Sequence, residues 1–81
     1  MRPGLGADLV DNNARVRALA AEVVRHRTDA VKYGPALVTA LEDEDPEVRL
    51  QAHRSLVAIA GMDLGAPDAP GGIKRWRERF P

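Results

Sequence analysis

The chain contains no cysteine. No disulfide framework, thiolate metal site or thiol nucleophile can be built from it. Aromatics are scarce, with a single Trp, a single Tyr and a single Phe among 81 residues. No apolar run approaches the roughly 18 residues that a membrane-spanning helix needs. The opening "MRPGLGADLV" lacks the apolar stretch of a secretory leader. These features predict a soluble, cytoplasmic chain. An excess of charge is missing too: 12 basic and 12 acidic residues give a formal net charge of zero, so a generic polyanion binder is not indicated. At this length one small domain is the limit, spanning residues 1–81.

The charges present are unevenly placed. Glu42, Asp43, Glu44, Asp45 and Glu47 crowd around Pro46, whereas Lys74, Arg75, Arg77 and Arg79 fall within one short stretch near the C-terminus. The acidic cluster has a local explanation. Asp45-Pro46-Glu47 reads as the N-cap, first-turn proline and first-turn acid of a helix. Proline is harmless there because the N–H it lacks has no intrahelical partner, and acids near the N-terminus complement the helix dipole. A Ca²⁺ loop needs a Gly at the turn, which this stretch lacks. The predicted helix runs from Pro46 to Ala60 and stops at Gly61. Val48, Ala52, Ser55, Leu56 and Ile59 form its apolar stripe, with Glu47, Gln51 and Arg54 pointing away.

Sliding the sequence by 32 residues exposes a repeat. Leu9 falls on Leu41, Asp11 on Asp43, Val16-Arg17 on Val48-Arg49, Ala20 on Ala52 and Val24 on Leu56. A period between about 20 and 50 residues is the mark of stacked helical or strand units. "VTALEDEDPEVRLQAHRSL" (38–56) resembles the HEAT repeat family, in its short bacterial HEAT-like form, whose pattern is roughly L-x-x-L-x-D-x-x-x-x-V-R-x-x-A-x-x-x-L. Residues 6–24 carry a weaker version, with Gly6 where the first Leu belongs. The resemblance implies an all-α solenoid of about two helical hairpins: 6–28 with a truncated first helix, and 29–61. It also implies that Asp11 and Asp43 sit on inter-helix turns, and that Arg17 and Arg49 bridge to an Asp of the same or the neighbouring turn. The other reading makes these arginines a binding ridge. Some relatives of this repeat type are bilin lyases or their accessory subunits and others are DNA glycosylases, but their chemistry has no matching residues here.

Several pieces do not repeat. "TDAVKYGPALVTALE" reads as the first helix of the second hairpin, with Asp29 capping a short turn and Gly34-Pro35 interrupting it. Ala36, Leu37, Ala40 and Leu41 are its predicted buried face, and Tyr33 a packed ring with a wet hydroxyl. Residues 62–72 are a Gly/Pro/Asp-rich loop. Residues 73–80 read as a short helix with Ile73, Trp76 and Phe80 on one stripe. Two readings stand for it: a cap folded back on the end of the stack with Trp76 as anchor, or a partner-binding segment using Lys74, Arg75, Trp76, Arg77, Arg79 and Phe80.

No catalytic constellation is visible. His26 and His53 occupy non-equivalent repeat positions, no Gly-rich phosphate loop precedes a helix after a strand, and Ser55 lies on an apolar face. The expectation is a non-enzymatic protein-interaction or scaffold module with no catalytic residue, metal or cofactor. Alternatives are a nucleic-acid binder using Arg15, Arg25, Arg27, Lys32 and the C-terminal helix, or an accessory or regulatory subunit of an enzyme. Neutral charge and the acidic turn at 42–47 weigh against nucleic acid. Two repeats leave two ends to cover, so a homodimer or docking on a larger protein is predicted, with the acidic turn and residues 74–79 meeting across the contact.

Overall fold

The computed structural model describes residues 4–81. Met1–Pro3, the start of the stretch judged not to be a leader, lie outside the described residues. Five α-helices follow in order: α1 (Leu5–Asp8), α2 (Ala14–Val24), α3 (Gly34–Ala40), α4 (Pro46–Ala60) and α5 (Gly72–Arg79), with a 3₁₀ turn at Ala30–Tyr33 leading into α3. Among the described residues there is no strand.

The two inter-helix turns are built alike. The Asp11 carboxylate accepts a hydrogen bond from the Asn13 amide at 2.8 Å, and the Asp43 carboxylate accepts one from the Asp45 amide at 2.9 Å. Each turn hands the chain to a capping residue: Asn13 accepts from the Arg15 amide, and Asp45 from the Glu47 and Val48 amides. These bonds satisfy amides that the first helical turn leaves without partners. α4 ends at Gly61, whose φ of 75° returns the chain in the left-handed conformation that glycine adopts without a Cβ penalty.

α2 packs along α4, α3 lies against α4, α1 touches α2, and α5 closes on α3. The core contains Ala18, Ala21 and Val24 of α2, Leu37 and Val38 of α3, Leu41, and Val48, Ala52 and Leu56 of α4. Alanines at 20, 21 and 52 are buried and small, which lets the α2 and α4 backbones approach closely. Ser55 is fully buried, and its hydroxyl donates to the Ala21 carbonyl, tying the middle of α4 to α2.

Two sequence-based expectations change here. Gln51 does not point away from the core. It is buried, accepting from Arg25 Nη2 at 2.5 Å and donating to Glu47 at 2.9 Å, so its amide is satisfied in the α2–α4 seam. Asp29 does not cap the 3₁₀ turn. Its carboxylate takes Arg27 at 2.7 and 3.0 Å and Lys32 at 3.1 Å, and these cations hold it far below the usual carboxylate range. The acidic turn and the basic helix also touch within one chain, where Arg77 Nη2 lies 2.9 Å from Glu42.

Candidate functional site

Helix α5 follows a left-handed Gly71 and carries Trp76 and Phe80 inward. Trp76 is fully buried. Its indole N–H donates to the Gly65 carbonyl at 2.7 Å, its ring meets His53 edge-on with centroids 6.2 Å apart, and it stacks on Phe80 at 6.3 Å. Phe80 presses on Gly34, where an added Cβ would lie 2.5 Å from the ring. The two aromatics named as partner-binding candidates are therefore inside this fold. Burying a ring removes it from water at about 25 cal/mol per Å² of apolar area, and the indole N–H keeps its hydrogen bond inside.

The cations on α5 are largely occupied within the chain. Arg75 donates to the Leu64 carbonyl at 2.5 Å and the Pro70 carbonyl at 3.3 Å, Arg77 pairs with Glu42, and the Arg79 guanidinium sits 4.6 Å over the Phe80 ring. Lys74 is exposed. Of the cations considered for nucleic acid, Arg15 is exposed, and Arg25, Arg27 and Lys32 are similarly engaged. Arg27 and Lys32 share Asp29 and flank the Tyr33 ring, at 5.7 and 5.2 Å, and Arg25 lies 3.7 Å from Glu22 besides its bond to Gln51. Tyr33 itself is half-buried against the core.

The four repeat-position residues divide into a closed pair and two open ends. Arg17 reaches across the α2–α4 seam to the next turn, with Nε 2.9 Å from Asp43 Oδ2 and Nη2 3.1 Å from Oδ1. Both side chains are largely covered, at 13% and 14% exposure. A two-bond fork of this kind fixes orientation as well as charge. The Arg17 guanidinium holds the Asp43 carboxyl below its ordinary value, with the Asp45 amide adding to the effect. Arg17 Nη1 also donates to the carbonyls of Asp11 and Asn12 at 2.7 and 3.0 Å. Arg49 repeats the backbone half of this arrangement, donating through Nη1 to the Asp43 carbonyl at 2.7 Å. Among the described residues, however, neither the rest of its guanidinium nor the Asp11 carboxylate has an opposite charge within ion-pair distance.

Two grooves mark the corresponding faces. On the N-terminal side, Leu5, Val16, Leu19, Ala20 and Val23 line a cleft between α1 and α2, with Leu19 60% exposed and Val23 38% exposed. The truncated first helix expected from the sequence leaves this end short of cover, though Leu19 and Val23 were not singled out there. The signal was available, because Leu19 and Val23 fall one period before Gln51 and Ser55. On the C-terminal side, Leu41, Pro46, Arg49, Leu50 and His53 line a groove of about 400 Å³ with Ala66, Pro67 and Asp68. His53 Nε2 lies 2.9 Å from Asp63, which also accepts from the Gly65 amide. The imidazole and that amide hold the Asp63 carboxyl below its ordinary value. This fixes the loop over α4.

Among the described residues, no group of three His, Asp or Glu side chains is placed to share a metal ion, and no helix is long and apolar enough to cross a membrane. A search of curated proteins and one of solved structures returned no match. The HEAT repeat family model matches residues 34–61, the segment that forms α3, the acidic turn and α4. The match supports a HEAT-like repeat at residues 34–61, set within an all-helical fold.

Proposed function

We propose that the chain is a non-enzymatic protein-interaction module, a short α-solenoid that recognises its partner through the outer faces of its helices. The observation that carries this reading is the exposed apolar cleft between α1 and α2, where Leu19 and Val23 stand in water beside Val16. Their counterparts one period later, Gln51 and Ser55, are buried in the α2–α4 seam. A HEAT-like helix pair buries one face against its neighbour, so the same positions left open at the end of a stack form a ready docking surface. The family match supports the class of function, since such repeats commonly serve protein interaction. Internal pairing of Arg25, Arg27, Lys32, Arg75 and Arg77 speaks against a phosphate-binding edge.

The test is affinity capture from the native host with wild type and Leu19→Lys, scored by partners that the substitution removes. Partners lost on Leu19→Lys support the reading. A protein that captures nothing yet binds DNA or RNA with a steep salt dependence contradicts it.

A further inference from the structure

The interface that joins α2 to α4 is offered a second time, in halves, at the two ends of the chain. In the closed copy, α2 and its C-cap contribute Arg17, the Ala21 carbonyl and Arg25, and α4 with the turn before it contributes Asp43, Ser55 and Gln51. One period after Arg17 and Ala21 stand Arg49 and His53, both lining the C-terminal groove. One period before Asp43, Gln51 and Ser55 stand Asp11, Leu19 and Val23 at the N-terminal face.

Of the polar contacts, the Arg–Asp pair is the one whose halves recur; Gln51, Ser55 and Arg25 have the apolar counterparts Leu19, Val23 and Val57. Asp11 makes the same bond to the amide two residues on that Asp43 makes, but accepts no arginine among the described residues. Arg49 makes the same bond to the carbonyl six residues back that Arg17 makes, but meets no carboxylate among the described residues. One end thus holds an oriented carboxylate and the other an oriented guanidinium, each fixed by the backbone contact that prepares the closed pair.

We infer that this chain associates head to tail with a second copy of itself, the partner copy's Asp11 entering the fork of Arg49 as Asp43 enters that of Arg17. This rests on the interaction-module reading and names the partner. Charge complementarity selects the copy and its direction, and Leu19 and Val23 of one copy against Leu50 of the other supply apolar area. The contact is heterologous, so each complex keeps one open head and one open tail. Mass therefore grows with concentration in an open series, not to a closed dimer.

The experiment is sedimentation velocity on the full chain over a wide concentration range, up to millimolar. Wild type is compared with Asp11→Arg, Arg49→Asp, the double reversal, and an equimolar mixture of the two single variants. Circular dichroism verifies that each variant retains its helices, and Asp11→Asn, which keeps an oxygen for the Asn13 amide, stands in if Asp11→Arg does not fold. Each single reversal places like charges in the fork and should weaken association by about tenfold or more. The mixture and the double reversal each restore opposite charges and should recover it. A wild-type mass that stays monomeric throughout, or single variants that associate like wild type, overturns the inference. A monomer that still captures another protein through Leu19 overturns the head-to-tail pairing while leaving the interaction reading in place.

Discussion

The two ends of this small stack are treated differently. At the C-terminal end, α5 brings Trp76 and Phe80 into the core, and its arginines tie down the loop and the acidic turn, leaving open only the groove beside Arg49 and Leu50. At the N-terminal end, α1 is a single turn, and Leu19, Val23 and Val10 face water. The sealed end teaches how a chain of this size keeps a core, with two aromatics and an indole hydrogen bond doing the work of a further repeat. The open end shows where it has surface to spare. A core of this size leaves only a few kcal/mol of net stability, so the seal is needed for folding.

Breaking the sealed end should have the largest effect. Trp76→Ala removes the largest fully buried side chain and should cost about 3–5 kcal/mol, enough to unfold the domain, as chemical denaturation would read. Leu56→Ala, in the seam shared by both halves, should cost roughly 2–5 kcal/mol in the same assay. Asp45→Ala strips the α4 cap of both its amide bonds and should cost about 1 kcal/mol.

The next effect is on pH dependence. Asp43 is held below its ordinary value by Arg17, so the folded state binds its proton less readily than the unfolded one. The stability this provides is present above the unfolded carboxylate value of about 4 and is lost as pH falls through the lower folded value. Thermal melts from neutral to acid should fall less steeply for Asp43→Asn than for wild type. Smallest of all is Leu19→Lys at the open end. It should change stability by less than about 0.5 kcal/mol while abolishing partner capture, a separation that the sealed end cannot show.

Local chemistry made much of this legible. The Asp45-Pro46 start and the Gly61 stop gave α4 to the residue, because capping and left-handed turns are decided within a few positions. The HEAT resemblance implied that Arg17 and Arg49 would each bridge to an Asp of the same or the neighbouring turn; Arg17 meets the Asp43 carboxylate, whereas Arg49 reaches only the Asp43 carbonyl. Gln51 was misplaced because helical periodicity marks polar residues as outward. Its partners, Arg25 at the end of α2 and Glu47 one turn back, make a buried amide tolerable. Asp29 looked like a cap because its neighbours Arg27 and Lys32 were read as surface charges instead of competitors for its oxygens. The stripe of Ile73, Trp76 and Phe80 showed which side of α5 is apolar but left both a core and a partner as its destination. Only the packing of Phe80 on Gly34 and the indole bond to Gly65 resolve that choice.

The contrast between a sealed and an open end is tested most directly by the chain's single tryptophan. Acrylamide quenching of Trp76 fluorescence, followed through a denaturant titration beside far-UV circular dichroism, reports whether α5 is docked. The account predicts a ring shielded from quencher in the native protein, becoming accessible in one transition that coincides with loss of helix. A ring as quenchable in the native protein as in the denatured one, with the helices intact, would contradict it.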